Sequence, residues 1–168
     1  MPVIAVVMGS KSDLPNLKGA FDIFKNFQVD TEVRVISAHR TPEEALDFAS
    51  NAKKRGFKII ICAAGMAAHL AGVMAAHTSL PVIGIPMASE PFNGMDSLLA
   101  TVQMPPGIPV ATVTVGKCGG KNAALFAMSI LALNDDNIQK KLDEFRNNQT
   151  ESVKSLDAEV SKKYSLKF

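Results

Sequence analysis

The chain has 168 residues, 47% hydrophobic and 20% charged, with a formal net charge of +2 at pH 7. That length suits one domain with a substantial core, the composition argues against disorder, and the charge is too small to imply nucleic acid or a membrane surface as partner. Val3 to Met8 is too short for a signal peptide, no apolar run approaches a membrane span, and Cys62 and Cys118 lack metal or disulfide spacing, so the expectation is a cytoplasmic domain.

Val3 to Met8 is a continuous apolar run ending at Gly9, the pattern of a strand covered on both faces. From Ser12 the period changes: Leu14, Leu17, Phe21 and Phe24 fall at helical spacing and are expected to line one buried face. Thr31 to Ile36 reads as a second strand, with Val33 and Val35 on one face. Thr41-Pro42-Glu43-Glu44 then offers an N-cap Thr, Pro at the first helical position and Glu at the capping-box position. Ala45, Phe48, Ala49 and Ala52 continue that helix on one face.

Ile59 to Ala63 is the third strand, and Ala67 to His77 a small-residue helix. Pro81 to Pro86 is a short fourth strand, followed by a loop from Ala88 to Gly94 and a helix from Asp96 to Val102. Met104-Pro105-Pro106-Gly107 forces a turn. Val110 to Val115 is strand five, Gly116 to Gly120 a glycine-rich turn, and Ala123 to Leu133 an apolar helix. From Asp135 the chain is polar, with Ile138, Leu142 and Phe145 at loose helical spacing.

Strands alternating with helices make a parallel α/β sheet with right-handed crossovers. Five strands fit the order 2-1-3-4-5, a three-layer doubly wound, flavodoxin-like sheet with a C-terminal helical extension. Residues 1–134 are read as the α/β domain and 135–168 as a helical tail. The ligand crevice of such a sheet lies beyond the strand C-terminal ends at the switch point between strands one and three. Three loops converge there: Gly9 to Asp13, Ser37 to Thr41, and Ala64-Gly65-Met66.

Gly9-Ser10-Lys11-Ser12-Asp13 joins a strand to a helix start, where backbone N–H groups and the helix dipole favour phosphate. Ser10 and Ser12 add hydroxyls, and Asp13 can accept from ribose hydroxyls. Ser and Asp there are also ordinary caps, and the spacing is neither GxGxxG nor Walker A, so the loop names no cofactor. At Ser37 to Pro42, His39 supplies an imidazole, which with an ordinary pKa of about 6.5 exchanges protons at neutral pH. Arg40 supplies a permanent cation that forks onto phosphate or carboxylate, and Thr41 is assigned to the cap.

His69 and His77, placed eight positions apart on one predicted helix, would be about 12 Å apart along it and cannot share a metal. His69 is assigned a structural place near the pocket, His77 a helix C-terminus. The Gly116-to-Asn122 stretch is one residue short of a P-loop and has Asn122 where Ser or Thr is required. The eight methionines read as core filling.

Gly9-Ser10-Lys11-Ser12-Asp13, Ser37-Ala38-His39-Arg40-Thr41-Pro42, Ala67-Ala68-His69-Leu70 and Asp96-Ser97-Leu98-Leu99 with Val102-Gln103-Met104-Pro105 occur in this order. In these the chain closely resembles bacterial 5-(carboxyamino)imidazole ribonucleotide mutases of de novo purine (IMP) biosynthesis, over roughly Val3 to Leu133. The resemblance implies an isomerisation without metal or cofactor, in which carboxylate moves from the exocyclic nitrogen to ring carbon C4 through aminoimidazole ribonucleotide and trapped CO2. It implies His39 as catalytic residue and Ser10, Asp13 and Arg40 as substrate-binding residues. Gly9, Ser12, Ser37, Ala64 and Gly65 would complete the pocket. It further implies a homo-octamer, with the tail reaching a neighbouring subunit.

Two positions depart from the pattern: Met66 stands where a second glycine is common after Gly65, and Ala71 where proline is common. Met66 brings bulk near the expected carboxylate pocket. The rival activity is a carboxylase acting on aminoimidazole ribonucleotide and CO2 directly, which the Asp96 to Pro105 stretch fits less well. The rival of another class is a flavodoxin-like binding module, a flavin carrier or phospho-receiver. A receiver needs an acidic cluster after strand one, where Met8-Gly9-Ser10 stands.

Overall fold

A computed structural model describes residues 3–166; residues 167 and 168 of the expected tail lie outside the described residues. Contacts divide the chain into two compact units, Met1–Ala127 and Met128–Phe168. The first holds a parallel sheet of β1 (Ile4–Met8), β2 (Thr31–Val35), β3 (Ile59–Gly65), β4 (Val82–Met87) and β5 (Ala111–Thr112), in the order β2-β1-β3-β4-β5. Ile4 pairs with both Thr31 and Ile59, and Cys62 pairs with Gly84, so the C-terminal ends of β1, β3 and β4 open on one side. The helices are α1 (Lys18–Phe27), α2 (Pro42–Ala52), α3 (Leu70–Ala76), α4 (Met95–Val102), α5 (Lys117–Ala132) and α6 (Asp136–Tyr164).

Both sheet faces are covered, which is why β1 and the apolar run of β3 need no alternation. On one side Ala5, Val7, Ile60 and Cys62 pack with Ala45, Phe48 and Ala49 of α2 and Leu70, Ala71 and Met74 of α3. The intervening Val6, Ile59 and Ile61, equally buried, face the other side. There α1 meets α5: a Cβ on Gly19 would lie 3.5 Å from Lys121 Cβ. On β2, an edge strand, Val33 and Val35 are 42% and 54% exposed. Its Glu32 bridges Arg34 and Arg55, and the Arg55 hydrogen bond holds that carboxyl below the usual range.

Local geometry corrects the periodicity in four places. Lys11–Leu17 is a 3-10 turn that precedes α1, with Pro15 inside it. Rotation by this tighter turn leaves Leu14 39% exposed, and the buried face becomes Leu17, Ala20, Ile23, Phe24 and Phe27. The helix predicted from Ala67 begins only at Leu70, because 66–69 are turned by short bonds: Ala68 N–H donates to Met66 O and His69 N–H to Ala67 O, both 2.8 Å. Strand five shortens to Ala111–Thr112.

The glycine-rich stretch is helix rather than turn, since α5 starts at Lys117. Gly120 is there for approach: a Cβ on it would come within 2.7 Å of Asn16 O. Of that stretch only Gly116, at φ +73°, bends the chain.

α4 is fixed to the end of β4 by a buried hydroxyl. Ser97 Oγ donates to Met87 O at 2.8 Å, and Thr101 Oγ1 donates to Ser97 O at 2.7 Å. The second unit carries α6, 29 residues long and capped by Asp135, whose carboxylate accepts from the N–H groups of Asn137 and Ile138. Ile138 and Leu142 are buried, while Val153, Leu156, Val160 and Tyr164 are exposed at helical spacing. No helix among the described residues is long and apolar enough to cross a membrane.

Candidate active site

A cavity of about 640 Å³ opens beyond the C-terminal ends of β1, β2, β3 and β4. Gly9, Ser10, Ser12, Asp13, Ser37, His39, Arg40, Ala64 and Gly65, all expected at the site, line it together. Also on its wall are His69, expected near the pocket, and Asn16, Leu70, Met87, Ala88 and Ser89, which were not expected there.

The turn after β1 is built by its hydroxyls. Ser12 N–H and Ser12 Oγ both reach Ser10 Oγ, at 3.3 and 2.8 Å, and Asp13 N–H donates to Ser10 O. Ser10 is thus a helix cap as well as a pocket residue. Asp13 is partly buried, and that desolvation raises its carboxyl pKa, with an opposing contribution from the Ser10 backbone bond.

The loop after β2 closes on itself. Thr41 Oγ1 donates to Ser37 O and accepts from Ser37 N–H, at 3.1 and 3.0 Å. The Thr41 side chain therefore makes no cap bond to α2, and Glu44, expected in a capping box, pairs instead with Arg34 at 2.8 Å. Pro42 does open the helix. Arg40 is held by its Nη2 donating to Gly9 O at 3.0 Å and its Nε to Ser37 Oγ at 3.4 Å. It has no ion-pair partner among the described residues. A fixed guanidinium beside a helix start, with its charge unmatched, is a ready anion site.

His39 meets His69. Their facing nitrogens, Nε2 of His39 and Nδ1 of His69, are 2.9 Å apart, with the rings edge-on at 84°. Whichever nitrogen carries the proton donates to the other, so the pair holds one proton between two imidazoles. His69 lies at the pocket as expected, but it also meets His39, because the delayed start of α3 frees it from the helix and turns it onto that ring. His77 lies at the C-terminal cap of α3, its Nδ1 2.9 Å from Val73 O.

Met66 has φ +55°, the left-handed region that favours glycine, and is 61% exposed at the cavity wall. Cys62 is buried in β3, and desolvation pushes its thiol far above the usual range, which removes it as a nucleophile. Among the described residues no group of three or more His, Cys, Asp or Glu is placed to hold a metal ion.

Residues 3–152 match the family model described as AIR carboxylase. A Vibrio parahaemolyticus protein named N5-carboxyaminoimidazole ribonucleotide mutase is 52% identical over 150 residues, covering 89% of this chain and 93% of that protein. Proteins of the same name from Pyrococcus abyssi and Saccharolobus solfataricus are 53% and 50% identical, covering 87% and 95% of this chain and 83% and 100% of theirs. Two crystal structures of Treponema denticola PurE, one of a substituted form, superpose with TM-scores of 0.83 and 0.85 at 26% identity. They cover 99% and 95% of this chain and 100% and 98% of theirs.

Proposed function

This chain belongs to the AIR carboxylase family, and we propose that it is an N5-carboxyaminoimidazole ribonucleotide mutase acting in de novo purine biosynthesis. The observation that carries this reading is the His39–His69 pair, set in a cavity that also offers an unmatched Arg40 and a helix start. The 5′-phosphate sits against Arg40, Ser10 and Ser12, with Gly9 and Ser37 holding the two loops together, and Asp13 accepts from the ribose. The base lies over Ala64 and Gly65.

The reaction then needs one group that gives and takes a proton. Cleavage of the N–CO2⁻ bond releases CO2 and leaves its electron pair on the exocyclic nitrogen, which takes a proton from His39. Ring carbon C4 attacks the CO2, forming the new C–C bond, and His39 removes the proton from C4. His69, sharing a proton with His39, keeps that imidazole oriented between the two steps. Containment raises the effective concentration of CO2 at C4. The cycle is redox-neutral and calls for no cofactor.

We place the enzyme in the cytoplasm as a homo-octamer, with residues 1–134 as the catalytic domain and 135–168 as a tail on a neighbouring subunit. The exposed apolar residues of α4 (Met95, Leu99, Val102) and of α6 (Val153, Leu156, Val160) support association.

The test is to supply N5-carboxyaminoimidazole ribonucleotide, or aminoimidazole ribonucleotide with bicarbonate, and follow the 4-carboxylated product. Efficient turnover only with the second pair would sink the mutase reading in favour of direct carboxylation. His39→Asn is expected to abolish turnover, a loss of at least about 100-fold, while calorimetry still shows the nucleotide binding. Near-normal turnover in that variant would overturn the proton relay.

A further inference from the structure

Besides the turn after β1, the cavity wall includes the C-terminal ends of β3 and β4, at Ala64, Gly65 and Met87. In the sheet order β4 stands two strands from β1, so the two ends are about 10 Å apart at about 4.8 Å per strand. A nucleotide with its phosphate at the β1 turn therefore directs its base toward the β3–β4 end.

Ser89 stands there, two residues past β4 and on the cavity wall. Its backbone is fixed, because its carbonyl accepts from Asn93 N–H at 2.9 Å in the turn leading to α4. Its side chain is left over. Ser89 Oγ is shielded from water and has no hydrogen-bond partner among the described residues. It faces the end of β3, where a Cβ on Gly65 would lie 3.8 Å from it. A buried hydroxyl without a partner is costly, and such groups persist where something else completes the bond.

We propose that Ser89 Oγ is a binding group for the migrating carboxyl: it donates to the carboxylate of the bound nucleotide and to the CO2 held between the two half-reactions. This rests on the mutase reading above. The surrounding charge pattern agrees with it. The cavity residues at this end, Ala64, Gly65, Met87, Ala88 and Ser89, carry no charged side chain, and Arg40 is engaged at the β1 side through Gly9 O. A cation here would stabilise the carboxylate far more than neutral CO2 and so oppose its release. A single hydroxyl donor forfeits less when the charge disappears.

Ser89→Ala in the full-length protein tests this by calorimetry and thermal unfolding. The expected result is an unchanged or raised Tm, since the hydroxyl bonds nothing among the described residues. Affinity for the 4-carboxylated nucleotide should fall about 10- to 100-fold, as for a lost hydrogen bond to a charged group. Affinity for aminoimidazole ribonucleotide, which lacks the carboxylate, should change less than about twofold. Equal losses for both ligands, no loss for either, or a clearly lowered Tm would each overturn the assignment. Failure of the unaltered protein to turn over the N5-carboxylated nucleotide would instead remove the mutase reading, and is seen before any substitution is made.

Discussion

Arg40→Lys separates charge from geometry at the end of the site proposed for the phosphate. The guanidinium donates from Nη2 to Gly9 O at 3.0 Å and from Nε to Ser37 Oγ at 3.4 Å, tying the β1 and β2 loops while its charge stays unmatched. Lysine keeps the charge but cannot span both oxygens and a phosphate. The two bonds are exposed and one is long, so losing them costs about 1 kcal/mol of stability. For a chain of this size that lowers Tm by about 2–4 °C. Replacing a two-pronged phosphate contact by a single one removes about 1.5–3 kcal/mol of binding, or about 10- to 100-fold in KM. Because the phosphate does not react, kcat should stay within about twofold. Steady-state kinetics on the nucleotide should be paired with the dephosphorylated nucleoside, whose weak turnover should not fall further in the variant. If Arg40→Lys harmed the nucleoside as much as the nucleotide, or lowered kcat at constant KM, the phosphate assignment would be wrong.

Asp13→Asn should stabilise the protein at neutral pH while weakening nucleotide binding. Burial raises the folded-state pKa of Asp13, so its ionisation opposes folding; that penalty is absent below the unfolded value near 3.8 and grows as pH rises through the folded pKa. Tm compared at pH 7 and near pH 3.8 should show the advantage of the variant shrinking toward acid, and an advantage independent of pH would contradict the desolvation. Gly84→Ala should destabilise by about 1–3 kcal/mol, because its Cβ would overlap Thr101 Cγ2 and approach Val110 Cγ1 at 3.1 Å and Ala71 Cβ at 3.3 Å. Denaturant unfolding that shows no shift would mean α4 and β5 lie farther from β4.

Local pattern determined the layers of this protein. The continuous apolar runs of β1 and β3 and the turn residues between elements are statements about a strand's two faces and a helix's one, and they need no knowledge of distant neighbours. The same logic carried Gly9 to Asp13 and Ser37 to Thr41 to the ends of adjacent strands, because a parallel sheet leaves its connecting loops there. Periodicity misplaced Leu14 because a 3-10 turn rotates the following helix. It read Gly119 and Gly120 as a bend when their missing side chains admit the backbone of residues 16–17 and the sheet.

Only the tertiary structure decided the chemistry at the centre. His39 and His69 are 30 residues apart, and nothing near either one specifies that α3 starts late enough to turn His69 onto His39 at 2.9 Å. Ser89 looked like one polar residue in a loop. Its unpartnered hydroxyl became visible once β4 had been set beside β3 and Ser97 had fixed α4 against Met87. Hydrophobic spacing encodes which face of an element is buried, whereas a shared proton or an orphaned hydroxyl depends on tenths of an ångström between loops. Those distances are fixed by the packed sheet beneath them.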